Sequence, residues 1–416
     1  MKKYENCINL LLGIIILFFS LPAIGQNDKS YNEKIKIAFA ASSSTECESS
    51  LKFCNEVLNV VPNHPVVNYL SARLNAQLEN ENIALKQLMK ATELGYTTKL
   101  PFHKTHQLND SAFISLRKKE GFKDIIKALN KAEKSINKSQ IAFIISDKEL
   151  VPEGITYDPL DKMFYLGSET KDKIVKVDQN GNSTDFTTEG QDGLSIVLGI
   201  HVDPVRRNLW ACSYKKTSVG IFKYSLSSGK LIKKYIFPSN GKRLEFNDLV
   251  IHPNGDIYIT APGDKAIYLI SEDSDTLELF LRSELFISPN GITLSEEGSI
   301  IYFSDVKTGI YSLDIKTKSF KLLTTEPSFS TIGIDGLYFA NNKLYSVQIS
   351  LNQISIFSLN KDATHLEECY ILERNGPYLD KPTTGVIVDD YFYFIADTQG
   401  QGKKLEGVII MKVSLN

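Results

Sequence analysis

Four short phrases in this 416-residue chain put an oxygen-bearing side chain at the same point of a recurring pattern. They are VPEGI at Val151–Ile155, EFNDL at Glu245–Leu249, SPNGI at Ser288–Ile292 and GIDGL at Gly333–Leu337. The side chains are those of Glu153, Asn247, Asn290 and Asp335. Two carboxylates and two amides in one small volume, with nothing basic among them, repel unless a cation sits between them. Oxygen-only ligation selects a hard ion, so Ca²⁺ is expected first, with Zn²⁺, Mn²⁺ or Mg²⁺ as alternatives. A divalent ion neutralises the charges of Glu153 and Asp335. Because Ca²⁺ takes about 6–8 oxygens, positions remain for water or a ligand. An ion open on one side can polarise a carbonyl and lower the pKa of bound water.

The elements that must position these residues are repeated. Stacking EGITYDPLDKMFYLGS, LGIHVDPVRRNLWACS, NDLVIHPNGDIYITAP, NGITLSEEGSIIYFSD, DGLYFANNKLYSVQ and TGVIVDDYFYFIAD aligns Gly154, Gly199, Asp248, Gly291, Gly336 and Gly385. The gaps between them are 45, 49, 43, 45 and 49 residues. From about Gln140 apolar and polar residues alternate with period two, and PNGD, SEEG and ANN divide the runs. Four strands per unit at a period in the forties predict a β-propeller. The sixth unit ends one strand short, while IAFIISD at Ile141–Asp147 stands ahead of the first. That spare strand is expected to complete the sixth blade and remove an exposed sheet edge. The expected fold class is an all-β six-bladed β-propeller over residues 139–416. The first strand of each blade lines the central channel, so Glu153, Leu198, Asn247, Asn290, Asp335 and Thr384 should converge on the axis.

Residues 26–138 follow a different period. ESSLKFCNEVLNVV, VVNYLSARLNAQL, NIALKQLMKATELG and GFKDIIKALNKA place apolar residues three and four apart, which predicts an N-terminal α-helical domain. Gly95 serves as a helix stop. Asn63–Gly95, with small residues at Ala72, Ala84 and Ala91, resembles a tetratricopeptide unit, which implies a scaffold for a protein partner. A cap that only packs on its neighbour is the other reading. MKK, the apolar INLLLGIIILFF and LPAIGQ mark residues 1–25 as a cleavable signal peptide, and no cysteine follows them as a lipoprotein requires. The mature chain is thus expected to be secreted or periplasmic and free of the membrane. A formal net charge of -2 offers nothing to attract nucleic acid. Cys47 and Cys54 on one helix would hold their Cα atoms about 10 Å apart. A disulfide tolerates roughly 7 Å, so free thiols are expected.

VPEGITYD, EFNDLVIHPNGDIYIT, SPNGITLSEEGSIIYFSD and GIDGLYFANNKLYSV resemble the senescence marker protein/gluconolactonase family, which includes regucalcin and bacterial sugar lactonases. The likeness runs over roughly Gln140–Asn416. It implies that Glu153, Asn247, Asn290 and Asp335 hold a divalent metal, and that the substrate is a small lactone or related ester. Regucalcin-like sugar lactonases carry an Arg two residues before the FND asparagine, where Glu245 stands here. An acid at that point suits a hydroxyl-rich or cationic ligand better than an anionic one. Asp335 is the first candidate for the catalytic base and Glu153 the second. Glu245, Asp248 and His201 are candidates for substrate binding, with loop-holding as the other role for Asp248 and a structural role for His201. His252 is expected to be structural, Asp305 to bond its turn and Trp210 to pack in the core. No Gly-x-Ser-x-Gly elbow, phosphate-binding glycine loop or His-rich zinc motif occurs. The expected function is a secreted metal-dependent hydrolase in which the ion polarises the carbonyl and activates a bound water. The alternative is a non-catalytic propeller whose tetratricopeptide-like scaffold binds a ligand or protein around a structural ion.

Overall fold

A computed structural model describes residues 28–97, 110–215, 217–238, 244–397 and 407–415. The expected signal peptide at 1–25 lies outside the described residues. Helices α1 (Asp28–Ala40), α2 (Ser44–Val60), α3 (Pro65–Gln77), α4 (Glu81–Glu93) and α5 (Glu120–Ala132) form first. Local chemistry explains the starts and stops. Ser43 and Glu46 make a reciprocal capping box on α2. Pro65 opens α3, where its missing N–H costs nothing. Gly95 closes α4 at a φ of +93°, in the left-handed conformation that glycine adopts most readily. Helix α1 has no counterpart among the four apolar-periodic segments. Its sequence is largely polar, and Tyr31 and Ala38 anchor it in place of a continuous stripe. Cys47, Cys54 and Cys212 are buried free thiols.

The propeller follows as six sheets. Blade 1 runs Pro152–Asp158, Met163–Ser168, Ile174–Val177 and Ser183–Asp185. Blade 2 runs Ile196–Asp203, Asn208–Lys215, Ser218–Ser225 and Leu231–Pro238. Blade 3 takes Leu249–Ile251, Ile257–Ala261, Ala266–Ile270 and Leu277–Arg282. Blade 4 takes Pro289–Leu294, Ile300–Asp305, Gly309–Asp314 and Phe320–Leu322. Blade 5 has Ile334–Ala340, Lys343–Gln348, Gln353–Leu359 and His365–Arg374. Blade 6 has Gly385–Val388, Tyr391–Ile395 and Val408–Ser414, and its outer strand is Gln140–Ile145 from ahead of blade 1. The spare strand therefore closes the ring as its sequence predicts. Blade 5 gains two short partners on its outer strand, Ile136–Asn137 and Thr324–Thr325. Nearby, Glu373 accepts from Ser139 N at 3.2 Å and holds the segment that joins helices to propeller.

Apolar side chains on both faces of each sheet explain the near-continuous hydrophobic second strands. The core is divided into six clusters, each lying between neighbouring blades. Trp210 and Cys212 of blade 2 meet Ile257 and Tyr268 of blade 3, for example, and Phe143 and Ile410 of blade 6 meet Ile155 and Phe164 of blade 1. Burial on this scale gives roughly 25 cal/mol per Å² of apolar surface removed from water. It fixes the angular position of every inner strand.

Candidate metal and catalytic site at the channel mouth

Four of the six inner strands, those of blades 1, 2, 4 and 5, begin with a local irregularity, and three of the candidate residues sit inside one. Strand pairing skips between Pro152 and Gly154, between Pro289 and Ile292, and between Ile334 and Leu337. Such bulges unpair one residue and re-aim its side chain. Glu153, Asn290 and Asp335 occupy the skipped positions. Asn247 and Asp248 precede the paired part of blade 3, bonded to Thr260 through Asn247 N to Thr260 O at 2.9 Å and Thr260 N to Asp248 O at 2.9 Å.

The following glycine is required by space. A Cβ on Gly154 would stand 2.2 Å from the Leu198 carbonyl oxygen, and one on Gly291 2.3 Å from that of Asp335. The bulges thus pack edge to edge around the axis. Gly199 N donates to Asn247 O at 2.8 Å, Thr260 Oγ1 to Asn290 O at 2.7 Å and Gly336 N to Thr383 O at 3.0 Å. Thr384 Oγ1 donates to Glu153 O and completes the circuit. This backbone ring brings the four predicted residues to one rim.

Carboxylates crowd that rim. Burial, then the charges of Asp335, Glu169 and Glu245, drive the Glu153 pKa well above the usual carboxylate range. Burial and then Asp248 push Asp335 up to about 7, against a hydrogen bond from the Asn290 side chain that favours its charged form. Glu169 is raised by burial and by Glu245. Every charge named in these shifts is another carboxylate. Asn247 Nδ2 donates to Glu245 Oε1 at 3.4 Å. Among the described residues no three His, Cys, Asp or Glu side chains form a ligand group by themselves. Any oxygen set at this rim would have to include the amide oxygens of Asn247 and Asn290. A rim of like charges with amide oxygens interspersed fits a hard divalent cation.

Asp248 lies just behind the rim. Its Oδ1 accepts from Leu249 N at 2.9 Å and its Oδ2 from Ile292 N at 3.4 Å, so it ties the start of blade 4 to blade 3. Burial raises its pKa to about 7. His201 Nε2 lies 4.0 Å from Asp248 Oδ1. Burial lowers the His201 pKa to about 4, so the ring is neutral and the contact is no ion pair. The ring is enclosed by protein and still 28% exposed, as befits a side chain on a narrow channel. His252 bonds Gly298 O and Asn254 in a turn at the far rim, Asp305 accepts from Ile287 N and Ser288 N, and Trp210 is in the core. All three have the structural places expected of them.

Two neighbours of the rim escaped the sequence reading. Glu169 follows the second strand of blade 1, outside the repeated phrases. Tyr338 accepts from Gly385 N at 2.8 Å and is shifted by the charges of Asp248 and Asp335 after burial. A signal for Tyr338 existed. Thr156, His201, Thr293 and Tyr338 each stand two residues after the aligned glycine. Thr156 accepts from Val202 N and Thr293 from Phe339 N, both at 3.1 Å, so this position reaches the next blade.

A six-bladed propeller with an acidic, amide-bearing ring at one mouth of its channel defines the class. The chain belongs to the SMP-30/Gluconolactonase/LRE-like family, whose sequence profile matches residues 151–366, just over half of its length. Among solved structures it is similar to a gluconolactonase from Xanthomonas campestris, with 14% identity and a TM-score of 0.49, over 66% of this chain and 89% of that one. It is also similar to a PQQ-bound aldose sugar dehydrogenase from Streptomyces coelicolor, with 14% identity and a TM-score of 0.50, over 66% and 97%. A virginiamycin B lyase from Staphylococcus aureus matches at 17% identity and a TM-score of 0.47, over 66% and 98%. At such identities the likeness is one of fold. No curated protein matches the chain.

Proposed function

We propose that this protein is a metal-dependent hydrolase that opens a lactone or related ester at the channel mouth. The observation that supports it best is the ring itself, where Glu153 and Asp335 face other carboxylates, the Asn290 side chain bonds Asp335, and the Asn247 side chain bonds Glu245, whose charge bears on both. Family membership supports the reaction class. Glu153, Asn247, Asn290 and Asp335 would hold the ion, with Ca²⁺ preferred by an all-oxygen set. When bound, such an ion supplies a Lewis acid that polarises a carbonyl and makes a water more acidic. The chain's own part is to orient and to move a proton. Asn290 donates to Asp335 and holds that carboxylate in place, so Asp335, or Glu153 beside it, takes the proton of the attacking water. Glu245 and Glu169 disfavour an anionic substrate and suit a hydroxyl-rich or cationic one. His201 adds a neutral polar wall.

The test is a panel of aldonolactones, acyl-homoserine lactones and aryl esters, assayed with Ca²⁺, Mn²⁺, Mg²⁺ and Zn²⁺. Turnover is expected with at least one pair and is lost on chelation. Undiminished turnover in chelated protein sinks the reading, and ion binding without turnover of any ester favours the non-catalytic platform. The reading also places the mature protein outside the cytoplasm, which N-terminal sequencing checks by finding Gln26 first.

A further inference from the structure

Two contacts between the helices and the propeller, at Ile287 and Leu351, fall on the rim that bears the site. Ile287, 1% exposed, is packed among Tyr31, Phe53, Val57, Val67 and Leu70 of the helical domain. Its backbone leads directly to Asn290. The amides of Ile287 and Ser288 donate to Asp305 Oδ2 at 2.7 and 2.8 Å, and Val306 N donates to Ser288 O at 3.0 Å. Pro289 then fixes φ immediately before Asn290.

Blade 5 has a matching grip. Leu351 is packed among Tyr69, Tyr96, Phe113 and Leu116 of the helical domain. Its neighbour Ser350 donates N to Gly333 O at 3.3 Å and leaves no room for a side chain there, since a Cβ on Gly333 would meet Ser350 Cβ at 2.1 Å. Gly333 stands two residues before Asp335. Blades 1 and 3, which supply Glu153 and Asn247, contribute no described residue to either helical core.

We propose that the N-terminal helices are the positioning element of the channel-mouth site. Ile287 is the positioning residue for Asn290, and Leu351 acts through Ser350 and Gly333 on Asp335. This rests on the reading of the four rim residues as an ion site. The physical reason is preorganisation: a ligand held by a locked support loses less freedom when the ion arrives. The helical domain thus supports two of the four rim residues without supplying any donor.

The experiment compares full-length wild type, Ile287→Ala, Ile287→Val and Asn63→Ala. Asn63→Ala is the control, because Asn63 bonds Thr325 Oγ1 at 2.8 Å and Glu326 O at 2.7 Å on the outer edge of the same interface. Ca²⁺ affinity is read by calorimetry, and amide exchange across 288–292 is read in chelated protein. Ile287→Ala should weaken Ca²⁺ binding by about ten-fold, as loss of a supporting residue does, and should speed exchange across 288–292. Ile287→Val should restore both, and Asn63→Ala should change neither. The proposal is overturned if Ile287→Ala matches wild type in both readouts, or if Asn63→Ala reproduces its effects. Should wild type take up no ion while exchange still rises in Ile287→Ala alone, the positioning stands and the ion reading falls.

Discussion

In blade 2 the inner strand skips a pairing between Val197 and Ile200, and in blade 4 it does so between Pro289 and Ile292. Both bulges hold a residue followed by a glycine, and both glycines press against the next blade. A Cβ on Gly199 would lie 2.5 Å from Asp248 Oδ1, and one on Gly291 2.3 Å from Asp335 O. Yet Leu198 occupies in blade 2 the place that Asn290 holds in blade 4. Leu198 is 6% exposed and packs with Leu244, Phe246 and Leu249. The bulge therefore belongs to ring closure, and the chemistry is added one residue ahead of the glycine. Oxygen donors stand at this bulge in blades 1, 4 and 5 because the side chain differs while the backbone device is the same, and blade 3 presents Asn247 just ahead of a regularly paired strand.

The largest expected effect comes from erasing that difference. Asn290→Leu makes blade 4 resemble blade 2, and Asp335→Ala removes one carboxylate. Both should reduce Ca²⁺ uptake and ester turnover to background while circular dichroism stays that of the folded propeller. Retained ion binding in Asn290→Leu would end the comparison.

Next come Gly199→Ala and Gly291→Ala, which attack what the blades share. Each should cost about 1–3 kcal/mol of stability through overpacking, measured by urea unfolding, and the two costs should be alike. A penalty confined to Gly291→Ala would tie the bulge to chemistry instead of closure.

Acid separates the helices from the ring. His64 accepts from Val67 N at 3.4 Å as the cap of α3, bonds Tyr31 Oη at 2.8 Å, and is held near pKa 3 by burial and by nearby Lys307. That value is below the usual 6.5, so the fold accepts the neutral ring. Its contribution is whole above about pH 6.5 and is lost as pH falls from there toward 3, at roughly 1.4 kcal/mol per pH unit. Thermal melts between pH 7 and 4.5 should show the helical transition falling, and His64→Asn, which still caps, should flatten that slope. The smallest effect belongs to Leu198→Met. This volume-conserving change should cost less than about 1.5 kcal/mol and leave Ca²⁺ affinity within about two-fold.

Much of the propeller was legible because its signal is repeated. Six aligned phrases, a period near 45 residues and a spare strand gave blade number, inner strands and the outer strand of blade 6. The rim residues were legible for the same reason, since equivalent positions must meet at the axis. Glu169 was not, because it belongs to no repeated phrase and is brought in by the end of a second strand. The grips at Ile287 and Leu351 were invisible as well: an isoleucine before SPNG and a leucine after VQIS look like ordinary core residues. Their partners lie more than two hundred residues away in the helices, and only packing relates them. Helix α1 lies within the stretch read as helical, but no apolar repeat marks it, because two anchors, Tyr31 and Ala38, leave no period to detect.

The seam of the wheel has a consequence for how the molecule is made. Gln140–Ile145 leaves the ribosome before any blade exists, and its partner Val408–Ser414 emerges only after the other five blades have been made. Until then the growing chain holds an idle β-edge on one side and an unsealed sixth blade on the other. Such edges are templates for pairing with other chains. Arrest of translation ahead of Val408 would release a horseshoe with two sticky ends, and those products should clump while the finished wheel stays dispersed.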